Sequence, residues 1–254
     1  MITKLYLIGI GPGDPKYLTL EARDLIQKLN LFFVPDKSGK KEILTEIRLN
    51  LVKTVKGNDN FTIVGLSFPE RRKGPNYKEK VKEWRREKAR ILKRALLDSE
   101  ESEAGLLIWG DPSLYDGHID IMREVEKDLP VKWEVIPGLS SFQVLSAKQK
   151  ISLTEVSTPL AFHTPRSLRY LERISHPVLV FLDNYETFQK FKDDENVIIH
   201  WGAFVGTERE VLFSGRLSEI CERLKSLRRE IRKEMGVIME IYYMKRGAGN
   251  STET

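Results

Sequence analysis

One short stretch places polar residues directly after a run typical of a buried strand, where ligands bind in open α/β sheets. In "LLIWGDPSLYDG", Gly110 permits close backbone approach, and Asp111, Ser113 and Tyr115 offer polar groups. The Asp111-Pro112 pair is also a common helix start, with Asp at the N-cap and Pro in the first turn. The stretch therefore predicts either a binding edge or a capped helix.

A glycine loop follows the first apolar run, in "LYLIGIGPGDPKYL". A dinucleotide fingerprint needs a third glycine, but Asp14 stands at that position, and Pro12 removes a backbone donor from any phosphate nest. An aspartate would also repel pyrophosphate. We therefore expect no dinucleotide here, and a tight turn without any ligand remains an alternative for Gly11 and Gly13.

A third stretch, "VIPGLSS", ends in Ser140 and Ser141, whose hydroxyls can cap a helix or bind a ligand. The sequence contains none of the patterns H-E-x-x-H, C-x-x-C or G-x-S-x-G, and we predict no metal site. Its one cysteine, Cys221, lies in an apolar helical series, which predicts a packed thiol rather than a nucleophile.

The elements that must position these residues are strand-length apolar runs alternating with helical stretches. The first series is "LYLIGI", "LFFV", "FTIVGL", "GLLIW" and "VKWEVI", and the second is "LAFHT", "PVLVFLD", "NVIIHW", "EVLFSG" and "VIMEIYYM". This alternation predicts two α/β domains with mostly parallel or mixed sheets, over residues 1–150 and 151–246, followed by a disordered tail over 247–254.

Three helices have clear amphipathic patterns. Thr19 is the predicted N-cap of the first, and Asn76 with Glu79 is a predicted capping box for a long second helix. A third helix is predicted from about Ser218 to Glu234. We also expect the first two strands to pair in a parallel sheet.

Charge and hydropathy narrow the function classes. The net charge is +5, and a local charge of +8 lies between Glu70 and Arg94, mostly on a helix whose lysines and arginines should face water. The chain starts directly in a strand, without a leader pattern, and no run approaches the roughly 18 apolar residues of a membrane span. We therefore expect a cytoplasmic protein with no membrane partner.

Three motifs in this order, "GIGPGDPKYLTLEA", "WGDPSLYD" and "IPGLSS", resemble the class III, tetrapyrrole-type S-adenosylmethionine-dependent methyltransferases. The resemblance covers nearly the whole chain, and it implies the tetrapyrrole methylase fold with a ligand cleft between two domains, and a homodimer. Longer stretches, including "FFVPDKSGKKEILTEIR" and "HWGAFVGTEREVLFSGRL", resemble the deacetylating precorrin-6A synthases of cobalamin biosynthesis. The resemblance implies methylation of ring carbon 1 of precorrin-5 with release of acetate.

The same resemblance implies site residues. S-adenosylmethionine, with S-adenosylhomocysteine as its product, would be held by Pro12, Gly110, Asp111, Pro112, Ser113, Tyr115, Ser140, Ser141, Leu182, Gly202, Ala203 and Met239. The tetrapyrrole would contact Gly11, Gly13, Lys37, Arg71, Arg72 and His118. The arginines could meet the substrate's carboxylate arms.

Loss of acetate requires water to add to a carbonyl, so a proton must move. Asp14, Asp36 and Asp116 lie next to strand ends, and Tyr115 and His118 flank the predicted donor turn. Any of them could orient that water or act as general base, although helix capping or exposure to solvent is an alternative for each acid. Asp36 is the first choice, because pairing of the first two strands would place it beside the glycine loop, with Lys37 able to hold it ionised.

Two other functions remain open at this stage. An enzyme of the same fold could methylate another tetrapyrrole position or another acceptor. A protein of a different class could bind RNA through the +8 segment, but that segment lacks the exposed aromatic residues on which bases stack. We expect a tetrapyrrole partner and no nucleic acid.

Overall fold

The computed structural model describes residues 1–36, 42–70 and 76–247, and it divides the chain into two α/β units, one ending at Ser140 and the other beginning at Ser141. The predicted tail beyond residue 247 lies outside the described residues, as do Lys37, Arg71 and Arg72. Each of the ten apolar runs contains a strand, so the α/β prediction is confirmed.

The first unit is a five-stranded parallel sheet in the order β3-β2-β4-β1-β5. Its strands are β1 (Lys4–Gly9), β2 (Leu31–Asp36), β3 (Thr62–Ser67), β4 (Glu103–Ile108) and β5 (Lys132–Ile136). Its helices are α1 (Leu20–Lys28), α2 (Glu42–Lys56), α3 (Tyr77–Asp98) and α4 (His118–Val125). Alternate residues of β1 pack into two separate apolar cores, as expected for a sheet with helices on both faces.

The predicted pairing of the first two strands is wrong. β4, which is buried on both faces, lies between β1 and β2 and pairs with each. A strand that is apolar on both faces leaves the least apolar surface exposed to water when it lies at the centre of a sheet. The backbone of Asp36 is therefore two strand spacings, about 10 Å, from the strand that leads into the glycine loop.

The second unit is a mixed sheet in the order β6-β7-β10-β8-β9. Its strands are β6 (Ala161–His163), β7 (Val178–Phe181), β8 (Val197–Ala203), β9 (Val211–Arg216) and β10 (Glu240–Arg246). Its helices are α5 (Ser141–Gln149), α6 (Pro165–Leu168) and α7 (Leu217–Met235). The apolar side of α7 packs into the core of this unit, where burial raises the pKa of the Cys221 thiol.

The unit boundary falls before α5, whereas the sequence predicted it after α5, at residue 150. This helix packs against β8 and β10. At its end, the side-chain nitrogen of Gln149 donates to the carbonyl oxygen of Trp201 at 3.0 Å, and the side-chain oxygen lies 2.7 Å from Nδ1 of His200. Two polar contacts therefore tie the last turn of α5 to the second sheet.

Two predicted helix caps have different outcomes. Thr19 is the N-cap of α1, and its hydroxyl accepts a hydrogen bond from the backbone nitrogen of Ala22 at 3.2 Å. The capping box of Asn76 and Glu79 is wrong, because Asn76 has φ 57 and makes no side-chain cap bond. Side-chain capping needs an extended N-cap residue, and a left-handed one directs its side chain elsewhere. Across residues 1–36, 42–70 and 76–247, every helix is too short or too polar to be a candidate membrane span.

Candidate functional site

Glycines from the three motifs meet at the carboxyl ends of β1, β4 and β5. Gly11 and Gly110 exchange backbone hydrogen bonds, at 3.2 Å and 2.8 Å. A Cβ atom on Gly9 would lie 2.7 Å from the nitrogen of Gly138 and 2.9 Å from the oxygen of Gly110. A Cβ atom on Gly138 would overlap that same oxygen and lie 2.9 Å from the carbonyl carbon of Gly9. Gly9 and Gly138 therefore allow three backbone segments to touch.

Gly110 has a different environment from these two residues. Its φ is +71, and a Cβ atom there would meet only the hydroxyl of Ser140, at 3.8 Å. The space on this side of the turn can therefore take a group that a side chain would displace. The turn at Gly110 therefore lacks the backbone contacts that require glycine at positions 9 and 138.

Asp111 ties two of the motifs together. One carboxylate oxygen accepts from the backbone nitrogen of Ser113 at 2.8 Å and from its hydroxyl, and the other accepts from the nitrogen of Gly138 at 2.9 Å. Burial raises the pKa of Asp111, but these hydrogen bonds outweigh that effect and leave the pKa below its usual value. No helix begins here, since α4 starts at His118, so the predicted helix-start alternative is wrong.

The other predicted donor-binding residues of the first unit differ in exposure. Pro12, Pro112 and Ser140 are buried, and Ser113 is exposed. Tyr115 has φ 57 and a half-exposed ring. A non-glycine residue in this conformation is costly, and such residues cluster at functional turns. Gly11 and Gly13, expected on the tetrapyrrole side, are buried with positive φ.

In the second unit, Leu182 is the predicted donor-binding residue with the most accessible side chain. It follows β7 with φ 53 and is half exposed. Gly202 and Ala203 are buried, and a Cβ atom on Gly202 would overlap Val205 and lie 3.1 Å from Leu212. Side-chain packing alone thus accounts for Gly202. Met239 is partly buried against the core, so only part of its side chain is open to a ligand.

A buried polar network, which sequence reasoning missed, supports the turn that carries Leu182. Asp183 is fully buried and accepts from the hydroxyl of Tyr242 at 2.7 Å and from the nitrogen of Thr187 at 2.6 Å. Arg228 makes a two-bond pair with Glu240 and also reaches the carbonyl oxygen of Asp183. The signal was available, because Glu240 lies within an apolar run and Asp183 ends another one.

The three predicted acids have distinct positions. Asp14 caps the short helical turn Pro15–Tyr17, accepting from the nitrogen of Lys16 at 3.0 Å and pairing with its ammonium group at 2.5 Å. This is the capping alternative that the sequence left open. Asp36 is the last residue of β2, level with Ser67 of β3. Asp116 lies in the turn after β4 and contacts His118.

Asp116 and His118 form a buried pair. A carboxylate oxygen of Asp116 lies 2.5 Å from Nδ1 of His118 and accepts from its backbone nitrogen at 2.9 Å. His118 is 3% exposed, and burial lowers its pKa although Asp116 acts in the opposite direction. Burial raises the pKa of Asp116, but its contacts with His118 outweigh this and lower the pKa. At neutral pH the pair is therefore a carboxylate beside an uncharged imidazole.

Two buried cations adjoin this pair, and sequence reasoning missed both. Arg48 of α2 lies over Trp109, with its guanidinium carbon 5.7 Å from the ring centre, and burial lowers its pKa to about 10. Lys88 of α3 was expected to face water, but it is 5% exposed. Its ammonium nitrogen lies 4.4 Å from the ring centre of Phe68, which in turn is 5.9 Å from the ring of His118.

Other basic residues of α3 are paired with acids of α4 and of the segment directly after α4. Arg85 lies 2.8 Å from Asp120, and Lys93 lies 3.2 Å from Asp128. These pairs reduce the positive potential available to a polyanion. Among residues 1–36, 42–70 and 76–247, no group of three or more His, Cys, Asp or Glu side chains could hold a metal ion.

Several known proteins resemble this chain in sequence and in fold. The sequence profile of the Tetrapyrrole (Corrin/Porphyrin) Methylases matches residues 4–221. A Precorrin-6A synthase [deacetylating] of Sinorhizobium sp is 36% identical over 253 residues, which are 96% of each chain. A cobalamin synthesis related protein (CobF) of Corynebacterium diphtheriae has a solved structure with TM-score 0.79 and 28% identity, covering 97% of this chain and 99% of that one. A Thermus thermophilus uroporphyrin-III C-methyl transferase complexed with S-adenyl homocysteine has the same fold, with TM-score 0.59 and 19% identity, covering 95% of this chain and 97% of that one.

Proposed function

The chain belongs to the tetrapyrrole (corrin/porphyrin) methylases, and we propose that it methylates ring carbon 1 of precorrin-5 and releases acetate. The observation that carries the proposal is the 36% identity to a deacetylating precorrin-6A synthase along nearly the full length of both chains. The glycine cluster supports it, because all three motifs of the resemblance meet in one backbone arrangement.

S-adenosylmethionine is the proposed methyl donor. Its sulfonium methyl group is already electrophilic, so this chain needs to bind and orient the reactants rather than supply a nucleophile. The space beside Gly110 fits a bound ligand, and the adjacent Ser113 is exposed. In the second unit, Leu182 offers an exposed side chain at the end of β7.

The hydrogen bonding between the turns suits this orienting role. Asp111 joins the turn after β4 to the turn after β5 through hydrogen bonds that leave both of its oxygens engaged. We therefore assign Asp111 to positioning the turn. Ser113, Tyr115, Ser140 and Ser141 stay predicted contacts of the donor, and Gly11 and Gly13 stay predicted contacts of the tetrapyrrole.

The substrate's carboxylate arms need cationic partners, and Lys37, Arg71 and Arg72 are proposed for that role by their residue type and their place in the sequence. The RNA-binding alternative is disfavoured because several cations of α3 already pair with carboxylates. Methylation of another tetrapyrrole position remains the alternative that the experiment must distinguish.

The test is incubation of the purified chain with precorrin-5 and S-adenosylmethionine carrying a ¹³C methyl group. We expect mass spectrometry to show one labelled methyl group on a ring that has lost its acetyl group, together with one equivalent of free acetate. Parallel reactions omit the donor or replace precorrin-5 with uroporphyrinogen III. Unchanged precorrin-5 beside methylated uroporphyrinogen III would overturn the proposal in favour of the alternative acceptor.

A homodimer and a cytoplasmic location stay predictions. Light scattering at micromolar concentration should give twice the chain mass of 29.4 kDa. A mass equal to that of one chain would contradict the dimer.

A further inference from the structure

The ring nitrogen Nε2 of His118 is a buried atom without a hydrogen-bond partner. Because an ionised Asp116 can only accept, Nδ1 of His118 carries the proton and the lone pair lies on Nε2. Over the part of the chain that the structure describes, two buried side-chain nitrogens lack a partner, Nε2 of His118 and Nε of Arg48. They belong to one cluster, since the charge of Arg48 lowers the pKa of His118.

Local structure does not require this imidazole. The N-cap of α4 is Gly117, and the carboxylate of Asp116 already accepts from the backbone nitrogen at the start of the helix. A buried acceptor without a donor lowers stability, so this nitrogen is not explained by its contribution to the fold. A buried polar atom of this kind commonly binds an internal water molecule or takes part in catalysis.

We propose that His118, oriented by Asp116, is the general base that activates water for removal of the acetyl group. The inference rests on the proposed function and assigns its acyl-removal step. A water oxygen bonds to the acyl carbon, and a water proton passes to Nε2 of His118. The bond between the acyl carbon and the ring carbon then breaks, its electron pair stays on the ring carbon, and acetic acid leaves. That pair makes the ring carbon electron-rich, as methyl transfer requires.

The surroundings of His118 suit this role. Burial lowers its pKa, so the ring is uncharged at neutral pH and the lone pair on Nε2 can accept a proton. Asp116 fixes the tautomer, as the carboxylate does in catalytic triads. The positive charges of Arg48 and Lys88, which also act on His118, favour negative charge beside it, such as that which develops on an acyl oxygen.

The other acids are weaker choices for this step. Asp14 is engaged as a helix cap and in a pair with Lys16. Asp36 was preferred because the first two strands were expected to pair, and β4 separates them. Asp116 becomes a positioning residue, because its carboxylate acts through His118.

The experiment compares acetate release in wild type, His118→Gln, His118→Asn and Asp116→Asn, with His163→Gln as a matched control. His163 lies in the second unit, where its Nδ1 is 3.2 Å from the hydroxyl of Ser167. Thermal unfolding checks that each variant folds, and calorimetry measures its affinity for S-adenosylmethionine. In the three site variants we expect unchanged donor affinity and acetate release lowered by roughly 10²–10⁴-fold, the contribution typical of a general base. The control should match wild type.

Two further readouts separate catalysis from a structural role. ¹⁵N NMR of wild type should show the proton on Nδ1 of His118, and acetate release should fall as pH drops through the pKa of this ring, a dependence that His118→Gln lacks. Undiminished acetate release by folded His118→Gln or His118→Asn would overturn the assignment, as would a proton on Nε2. A wild-type chain that methylates a tetrapyrrole without releasing acetate overturns the base but not the methyl transfer. A chain that does neither overturns the proposed function itself.

Discussion

Replacing Gly110 and Gly138 separately with alanine should separate ligand binding from fold stability. Gly110→Ala introduces no clash, since the new Cβ atom would meet only the Ser140 hydroxyl at 3.8 Å. It does place a side chain at φ +71, which costs about 1–2 kcal/mol. For a chain of this size that is roughly 2–8 °C in the unfolding midpoint. The methyl group also occupies the space assigned to the donor.

Gly138→Ala introduces a steric clash but no strain from a positive φ. Gly138 has no positive φ, but its Cβ atom would overlap the oxygen of Gly110 and lie 2.9 Å from the carbonyl carbon and oxygen of Gly9. Backbone atoms at strand ends cannot rotate away as a flexible side chain can. We therefore expect a loss near the upper end of overpacking costs, about 3 kcal/mol, or roughly 6–12 °C.

Gly57→Ala is the matched control for backbone strain. Gly57 has φ +67 and no heavy atom within 4 Å of its added Cβ, so it carries the same conformational cost away from the three motifs. Calorimetry with S-adenosylmethionine should show at least a tenfold weaker affinity for Gly110→Ala, about 1.4 kcal/mol, and no change for Gly57→Ala. Equal affinities in these two variants would refute the assignment of the space beside Gly110 to the donor.

Two further predictions concern buried charge. Arg228→Met leaves Glu240 buried without its partner and should lower the free energy of unfolding by about 3–5 kcal/mol in urea titration. The exposed neighbour substitution Arg229→Met should change it little, and equal losses would contradict this account. The second prediction concerns the pH dependence of stability. Because the pKa of His118 in the folded chain lies below its usual 6.5, the unfolded chain takes up this proton at a higher pH than the folded chain does. Stability should therefore fall as pH drops below about 6.5, and the loss should be smaller in His118→Gln. An identical pH dependence of the unfolding midpoint in both proteins would refute it.

Much of the fold could be read from the sequence because its signals are local. Apolar runs of strand length, and a hydroxyl at position 19 before a helical pattern, each depend on a few neighbouring residues. The order of strands is not local. β1 and β2 are consecutive in the chain, but β4 lies between them in the sheet, and no residue of either strand indicates that arrangement. The choice of Asp36 as a base depended on that pairing.

The same difference between local and non-local signals applies to the candidate site. The motif glycines could be found because each stands at a strand end, but their mutual contact depends on three strands far apart in sequence. Lys88 was predicted to face water because its helix is rich in charge, and tertiary packing between aromatic rings overrides that local pattern. Arg48 carried no signal at all, since a single arginine in an amphipathic helix is ordinary.

One turn links both halves of the proposed chemistry. Between the end of β4 and the start of α4, the chain passes from Gly110, beside the space proposed for the donor, through Tyr115 at φ 57 to the Asp116–His118 pair. Asp111 fixes the start of this turn to the strand end at Gly138, and Asp116 fixes its end to the first turn of α4. Both ends of the turn therefore carry charge-assisted hydrogen bonds. Under the proposed function, acyl removal and methyl transfer occur at a single ring carbon, so the proposed base and the proposed donor site must reach the same atom from this one turn.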